Sequence, residues 1–258
     1  MNSSSIKVRR ALWVILALTV LCWVLFFYGR SLWVPAYYRL VGRRTVQEAV
    51  AFFAPIAEPR MMSVFQASGL AYPPKELALL AFKEERVLEL WVREEGHWVY
   101  AHTYPIKGAS GSLGPKLREG DRQVPEGIYK LEGLNPNSSY HLSMKVNYPN
   151  STDQSRAKAD GRTRLGGDIF IHGSSGSVGC LAMGDEAIEE LFVLVDRVGK
   201  ENVTMLISPR DLRRVPPPDL RQPKWVPELY ADLQVRLREF RAVSGGREGA
   251  NYGGGGSH

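Results

Sequence analysis

The sequence predicts a mainly β domain with flanking helices, placed after a single N-terminal transmembrane helix. Three observations support this fold class. Short runs rich in β-branched and aromatic residues cluster between residues 76 and 210. Segments with helical apolar spacing lie on both sides of this region, and a long apolar run stands near the N-terminus. The length of 258 residues and the proportions of apolar and charged residues are those of a folded globular chain.

The first element is the apolar run over residues 11–28, which is interrupted only by Thr19 and Cys22. As a helix that rises about 1.5 Å per residue, the run is roughly 27 Å long and can cross a bilayer. A cleaved signal peptide is the alternative interpretation, but the run exceeds a usual signal core. We therefore predict an uncleaved membrane anchor over residues 11–29.

The net charge of +6 is concentrated at the N-terminus. Residues 1–44 contain seven basic residues and no acidic one, which leaves 26 basic against 27 acidic residues in the rest of the chain. This distribution suits anionic lipid headgroups rather than a nucleic-acid groove, so we predict no nucleic-acid partner. Three basic residues precede the apolar run and four follow it, so charge alone leaves the orientation of the anchor open.

Residues 30–75 are predicted to form a helical linker. Residues 45–70 have helix-like apolar spacing that Pro55 and Pro59 interrupt, and two further prolines close the segment.

The β domain is predicted over residues 76–210. Within it, VLELWV (87–92) and HWVYAHTY (97–104) flank the turn sequence REEG, a pattern typical of a β-hairpin. Alternating or β-rich runs predict further strands at residues 127–134, 140–146, 168–172 and 202–208.

Helices are predicted on the C-terminal side. Apolar residues at i, i+3, i+4 and i+7 predict a helix after Cys180, with Asp185 as its N-cap and Gly199 at its end. An amphipathic helix from residue 227 to about 240 lies in a C-terminal extension over residues 211–243. The tail over residues 244–258 is too rich in glycine to order itself.

The stretch IHGSSGSVGC (171–180) contains the chemistry-bearing residues, because it joins a histidine to the cysteine outside the apolar run. A cysteine attacks acyl carbons only as a thiolate and therefore needs a base, for which His172 is the candidate. The glycines and serines between them let the chain fold back until imidazole and sulfur meet. Gly179 allows the main chain at Cys180 to approach a substrate and to supply N–H donors for an oxyanion.

The same spacing also fits a plain structural interpretation, in which a strand-end histidine lies beside a buried cysteine. A zinc site is less well supported, since structural zinc needs four ligands and the folded region offers few. We predict no metal and no cofactor.

Three separated blocks resemble the L,D-transpeptidase catalytic (YkuD-type) domain. They are GPKLREGDRQVPEGIYKL (114–131), LNPNSSYHLSMKVNYPN (134–150) and DIFIHGSSGSVGCLAMGD (168–185). They occur in the family's order, and the resemblance covers roughly residues 77–209. The family's nucleophile lies in a Ser-His-Gly-Cys motif, matched here by Ser177, Val178, Gly179 and Cys180. Valine at the second position departs from that pattern. The short loop before Cys180 is similar to a divergent subgroup that includes enzymes detaching a lipoprotein from peptidoglycan.

This resemblance implies a β fold curled around Cys180 as nucleophile, with His172 as general base and Gly173, Ser177 and Gly179 in oxyanion or positioning roles. It also implies a domain in the periplasm, with residues 1–10 in the cytoplasm and a single pass through the inner membrane. The implied substrate is a peptidoglycan stem peptide, whose third-residue carbonyl Cys180 attacks. An amine then completes a crosslink, or water completes a hydrolysis.

Further candidates for substrate binding are Arg122, Tyr140, His141, Tyr148 and Arg164. Arginine suits substrate carboxylates, but structural ion pairs explain Arg122 and Arg164 equally well. A strand with one face in the core likewise explains the tyrosine and histidine at 140 and 141. The alternative function, suggested by Val178 and the short loop, is a catalytically inactive peptidoglycan-binding or scaffold domain.

Overall fold

The computed structural model of the protein describes residues 3–220 and 223–240. The tail over residues 244–258, predicted to be disordered, lies outside the described residues. The helices are α1 (Ser3–Tyr28), α2 (Arg30–Val41), α3 (Val46–Ala67), α4 (Ser151–Ala159), α5 (Asp185–Val198) and α6 (Val226–Leu237). The strands are β1 (Leu77–Phe82), β2 (Val87–Glu94), β3 (His97–Pro105), β4 (Gly108–Ala109), β5 (Gly127–Ser138), β6 (His141–Val146), β7 (Phe170–His172), β8 (Leu181–Ala182) and β9 (Val203–Ser208).

The strands of the described residues form one sheet in the order β3-β2-β1-β9-β5-β6-β7-β8-β4. The β1/β9 and β7/β8 pairs are parallel, and the other neighbours are antiparallel. The predicted hairpin is confirmed, since β2 pairs with β3 across Glu95 and Gly96. Both turn residues have positive φ, as a tight two-residue hairpin turn requires. The mainly β class with flanking helices is therefore confirmed.

Strand β1 lies in the middle of the sheet and was not among the predicted strands. All six of its residues, LALLAF, are buried, so it lacks the alternation that marks a half-exposed strand. Successive side chains still point to opposite faces. Leu77, Leu79 and Ala81 therefore join the core on one face of the sheet, whereas Ala78, Leu80 and Phe82 join the core on the other.

Helix α3 covers the first of these faces together with α5. It begins in a capping box, in which the Thr45 hydroxyl accepts the Glu48 N–H and the Glu48 carboxylate accepts the Thr45 N–H. The predicted interruption at Pro55 and Pro59 is not observed, because one helix runs through both. Both prolines lie on the exposed side of α3, where carbonyls that lose a helical partner remain open to water. One face of the predicted linker is thus part of the main core.

Helix α6 covers the opposite face, as the predicted C-terminal amphipathic helix. The Tyr230 hydroxyl donates to Glu126 Oε2 over 2.8 Å, and Lys83 Nζ donates to Glu126 Oε1 over 2.9 Å. This buried chain of hydrogen bonds ties α6 to the start of β5. Burial lowers the pKa of Lys83, against the opposing effect of the Glu126 carboxylate.

Helix α5 begins one residue earlier than predicted. Gly184, and not Asp185, occupies the N-cap, and no side chain caps the helix. Asp185 is the first helical residue, and its carboxylate points into the loop before the helix. The end at Gly199 is confirmed, where φ is +85°.

Helix α1 contains the predicted apolar run. Its window Arg9–Phe26 has a mean hydropathy of 1.9, and none of it is buried against the rest of the described chain. By length and composition this helix can cross a membrane, and a signal sequence has the same properties.

Candidate active site

The register of two parallel strands determines how the candidate nucleophile and base face each other. His172 ends β7 and pairs with Ala182 of β8, which places Cys180 level with Phe170, one strand away. Cys180 directly precedes β8, and its thiol faces the Phe170 N–H and the Asp168 carbonyl of the neighbouring segment. His172 and Cys180 are offset by two residues, about 6.6 Å along the strand, and by one strand spacing of about 4.8 Å. The fold thus brings the two residues to neighbouring positions at the β7/β8 pair.

The His172 imidazole is buried, with 2% of the residue exposed. Its Nδ1 lies 2.6 Å from the Gly173 carbonyl oxygen, which can only accept, so Nδ1 carries the proton and Nε2 keeps its lone pair. The Tyr140 ring packs on the imidazole at a centroid distance of 4.8 Å. Burial lowers the pKa of His172, opposed by the Gly173 carbonyl and by Asp185. The ring is therefore neutral at neutral pH, which is the state a general base needs.

The Cys180 thiol is only partly exposed and is directed toward the 168–170 segment. Its Sγ lies 3.7 Å from the Asp168 carbonyl oxygen. Burial raises the pKa of the thiol, with a smaller lowering from the Phe170 N–H. Across residues 3–220 and 223–240, no hydrogen bond joins this sulfur to the His172 ring. At rest the pair is therefore a neutral thiol beside a neutral imidazole, without an ion pair.

The loop between the two residues is held by hydroxyl groups. The Ser177 hydroxyl donates to the Cys180 carbonyl over 2.6 Å and accepts the Cys180 N–H over 3.2 Å. The Gly179 N–H donates to Ser110 Oγ over 2.5 Å, and Ser110 in turn donates to the Arg122 carbonyl over 2.7 Å. Gly179 has φ +93°, which favours glycine. The N–H groups expected to stabilise an oxyanion thus already have hydroxyl partners.

The first residue of this loop has no space for a side chain. A Cβ at Gly173 would lie 2.6 Å from Asp185 Oδ1 and 2.8 Å from the Tyr140 carbonyl oxygen. The same Asp185 oxygen accepts the Ser174 N–H over 2.6 Å, and Ser174 adopts φ +61°. The start of α5 therefore fixes the point where the loop leaves β7.

A cleft of about 180 Å³ opens beside Val178 and Gly179. Its lining includes Lys116, Glu119, Gly120, Arg122 and residues 166–169, but neither His172 nor Tyr140. Arg122 and Asp168 both have φ near +55°, a conformation uncommon outside glycine and concentrated at functional sites. The cleft therefore adjoins the two residues that precede Cys180, while His172 lies outside its lining.

The two arginines predicted to bind substrate have different environments. Arg164 is exposed, and its guanidinium donates to Glu119 Oε2 over 2.7 Å and 3.2 Å. Arg122 is exposed in the cleft lining, and its side chain makes no hydrogen bond or ion pair with any described residue. Arg122 is consequently available for a negatively charged ligand, whereas Arg164 already has a carboxylate.

The other candidates lie away from the cleft lining. His141 Nε2 lies 2.8 Å from Glu189 Oε1 of α5, and its ring packs on Phe53 of α3 at 5.1 Å. Tyr148 is buried, and its hydroxyl donates to the Lys116 carbonyl over 3.3 Å. These two side chains support the walls of the site. Among the described residues, no group of three or more His, Cys, Asp and Glu side chains is arranged to hold a metal ion.

The sequence profile of the YkuD family, described as the L,D-transpeptidase catalytic domain, matches residues 79–227. This is more than half of the chain. The chain belongs to the L,D-transpeptidase catalytic domain family.

Curated relatives and solved structures match about half of the chain. YafK of Escherichia coli (strain K12), named as a candidate L,D-transpeptidase, is 35% identical over 133 residues, which are 50% of this chain and 52% of YafK. The chain thus spans about half the length of the curated relatives it matches. The helical cell shape determining protein Pgp2 from Campylobacter jejuni is 24% identical, with a TM-score of 0.44 over 54% of this chain and 50% of Pgp2. Bd1075 from Bdellovibrio bacteriovorus is 24% identical, with a TM-score of 0.40 over 54% of this chain and 50% of that protein.

Within this L,D-transpeptidase domain, the sequence patterns did not mark Ser110 or the Asp185 carboxylate as part of the site. Ser110 lies in the run GASGSLG (108–114), whose glycine and serine content matches that of the 173–180 loop, and this similarity was a usable signal. No signal marked Asp185, because an acidic residue at the start of a helix is expected in any case. Val178, which replaces the family's histidine, is 69% exposed and lines the cleft.

Proposed function

We propose that this protein is a membrane-anchored cell-wall enzyme that forms an acyl-enzyme at Cys180 with a peptidoglycan stem peptide. The observation that carries the proposal is that the family match includes Cys180, directly before β8, and the buried imidazole of His172 on the neighbouring strand β7, with a cleft lined by Val178 and Gly179 next to Cys180 in the chain. Helix α1 serves as the anchor, and the domain that follows it acts in the periplasm.

His172 acts as general base in this mechanism. Its Nε2 removes the thiol proton as the sulfur bonds to the carbonyl carbon of the third residue of the stem peptide. The C–N bond beyond that carbonyl then breaks, and the imidazolium returns the proton to the departing amine. A second nucleophile attacks the thioester and releases the sulfur. An amine gives a new crosslink or attachment, and water gives hydrolysis.

The oxyanion that forms during attack needs the N–H groups of Gly179 and Cys180. Ser110 and Ser177 accept hydrogen bonds from these groups in the free protein. We infer that the substrate carbonyl oxygen replaces these hydroxyls as acceptor, so the loop must shift when substrate binds. Arg122, whose side chain pairs with none of the described residues, supplies a guanidinium for a substrate carboxylate in the cleft.

The test compares the full-length protein in detergent micelles with its Cys180→Ala variant, both incubated with purified sacculi. Mass spectrometry of the muropeptides then identifies the product. New bonds between two diamino-acid residues indicate transpeptidation, and release of a D-amino acid or of an attached protein indicates hydrolysis. Cys22→Ala is the matched control and should keep full activity. Activity that persists in a folded Cys180→Ala variant would falsify the proposal.

A second candidate function is a peptidoglycan-binding domain without turnover. It is favoured by the raised pKa of Cys180 and by the absence of a hydrogen bond from its sulfur to the His172 ring among the described residues. This candidate predicts that sacculi retain the wild type and the Cys180→Ala variant equally, and that no product forms. A covalent peptide adduct on Cys180, detected by intact-protein mass spectrometry, excludes it.

A further inference from the structure

Helix α3 is apolar on nearly its whole circumference, although only one side of it is buried. The side facing the core contains Ala49, Val50, Phe53, Ala54, Ala57, Met61 and Phe65. The opposite side exposes Phe52, Ile56 and Met62 at 63%, 55% and 52% of their surfaces, together with Pro55 and Pro59. A helix that is apolar all round is normally covered on every side. The exposed side, called here the α3 face, is therefore an apolar surface that no described part of the chain buries.

No charged side chain interrupts the α3 face. Between residues 51 and 67, every exposed residue of α3 is uncharged. The two ionic residues in this stretch are only partly exposed and pair with α5: Glu58 accepts from Arg197 over 2.6 Å, and Arg60 Nε lies 3.2 Å from Glu190 Oε1. From Phe52 to Met62 the face is about 15 Å long, at 1.5 Å per residue.

Basic residues border the α3 face at the end nearest the N-terminus. Arg39, Arg43 and Arg44 are exposed, and the chain contains no acidic residue before Glu48. The Arg44 guanidinium lies 5.9 Å from the centre of the Phe52 ring, so a cation and an apolar group stand side by side. An apolar surface next to a basic cluster is the combination that binds an anionic lipid surface.

The helices that precede the α3 face also expose apolar residues. Helix α2 exposes Leu40 and Val41 at 89% and 63%, and α1 precedes α2 directly. The start of α3 is fixed to the β domain, because Asn137 of β5 accepts the Arg44 N–H over 2.9 Å and donates to the Arg44 carbonyl over 2.8 Å. Any surface that binds the α3 face therefore binds the β domain as one body with it.

We propose that the α3 face lies in the headgroup region of the bilayer, with Arg39, Arg43 and Arg44 on anionic phospholipids, so that the catalytic domain rests on the membrane instead of hanging free from α1. The proposal rests on the membrane anchoring proposed above. Phe53 of α3 touches His141, and a Cβ at Gly173 would lie 3.0 Å from the His141 Cβ. A single residue thus separates α3 from the site loop, and docking holds that loop at a fixed, short distance from the bilayer.

The experiment uses the full chain with Cys22→Ser and Cys180→Ala, reconstituted in vesicles of phosphatidylethanolamine and phosphatidylglycerol. A nitrobenzoxadiazole dye is attached through Ile56→Cys, or through Ser155→Cys on α4 as the matched position. Ser155 is exposed, and α4 contacts α6 on the opposite face of the sheet. Doxyl-labelled phospholipids, which quench dyes in the bilayer, should quench the dye at residue 56 several-fold more strongly than the dye at residue 155.

Charge variants test the basic border of the α3 face. Arg43→Glu with Arg44→Glu should weaken docking, by roughly fivefold for each arginine removed. Lys158→Glu with Arg238→Glu changes the net charge equally on the other side of the protein and should have no effect.

Flotation of the vesicles separates failure of this inference from failure of the anchor. Protein that does not float with vesicles disproves the anchoring, and the docking that rests on it. Protein that floats but shows equal quenching at residues 56 and 155 overturns the docking alone. A blue shift in the emission of the dye at residue 56 without quenching by the labelled lipids also overturns the docking. A protein partner or a second copy then covers the α3 face.

Discussion

At the scale of single residues, burial determines the resting state of the candidate nucleophile. Burial raises the pKa of Cys180 above its ordinary value of 9.0, and a thiol below its pKa is protonated. We therefore expect iodoacetamide to alkylate Cys180 slowly at neutral pH in a Cys22→Ser protein. The alkylation rate should rise with pH to a midpoint above 9.0. Intact-protein mass spectrometry at a series of pH values measures that midpoint.

The same measurement tests whether His172 acts only after substrate binds. Since no hydrogen bond between described residues joins its ring to the sulfur, His172→Gln should leave the alkylation profile nearly unchanged while abolishing turnover. A midpoint below the ordinary thiol value, lost in His172→Gln, would instead mean that a thiolate–imidazolium pair exists before substrate arrives.

Gly173 supports the site through the space that it leaves. The Cβ of an alanine there would lie 2.6 Å from Asp185 Oδ1 and 2.8 Å from the Tyr140 carbonyl oxygen, which is closer than van der Waals contact allows. Gly173→Ala should destabilise the protein by about 1–3 kcal/mol and reduce turnover, because Tyr140 packs on the His172 ring. Thermal unfolding and muropeptide release measure the two effects. Gly176→Ala in the same loop meets nothing within 4 Å and should change neither.

At the scale of elements, the sequence patterns predicted strands with one exposed face and helices with one apolar stripe. The β2–β3 hairpin and the helix after Cys180 were found in this way. Strand β1 was missed because it is buried on both faces, so its sequence does not alternate between apolar and polar residues. Strands β4 and β8 were missed because two residues are too few to show a periodic pattern. Helix α4 was missed although the Asn150–Asp153 capping box marks its start.

The sequence named the residues of the candidate site, which stay a prediction, but not their contacts. The strand end and the glycine-rich loop marked His172 and Cys180 as candidates, and the family resemblance selected them over the structural interpretation. The register that places Cys180 level with Phe170 depends on the parallel β7/β8 pairing, which no local pattern encodes. Likewise, Ser110 meets Gly179 only because β4 pairs with β8, at a sequence separation of 69 residues.

An ion-pair cluster holds the segment between β9 and α6 onto the sheet. Arg213 Nη2 donates to both Glu89 oxygens over 2.9 Å and Arg213 Nε donates to Asp211 over 2.7 Å, and all three side chains are less than a tenth exposed. Arg213→Met leaves the buried Glu89 carboxylate without its cation and leaves Asp211 with only the exposed Arg214, which should cost about 3 kcal/mol. The thermal midpoint should fall by roughly 6–12 °C.

The neighbouring arginine is the matched control for this cluster. Arg214 contacts the same Asp211 over 3.3 Å, but its side chain is 70% exposed. Arg214→Met should shift the midpoint by no more than about 2 °C, because exposed ion pairs contribute little. Equal shifts for the two variants would mean that burial of the Arg213 cluster has no energetic consequence.

At the scale of the whole molecule, the sheet needs a helical layer on each face, and each layer includes a helix outside the matched family segment. Helix α3 ends before residue 79, and nearly all of α6 follows residue 227. Alternate residues of β1 face these two layers, so the loss of either helical layer would expose large aliphatic side chains of the sheet to water. The family segment of this chain is thus not a complete folding unit.

We therefore expect a fragment of residues 79–227 to fail to fold, whereas a fragment of residues 45–240 should fold. The shorter fragment loses α3, which buries Phe53, Met61 and Phe65, and the part of α6 that buries Leu233 and Leu237. Each such side chain contributes about 1.5–3 kcal/mol, so the loss is on the order of 10 kcal/mol and matches the whole stability of a typical domain. Near-ultraviolet circular dichroism and thermal unfolding compare the two fragments. A cooperative transition in the 79–227 fragment would show that the sheet with α5 alone suffices, and would make both outer helices additions to an already stable core.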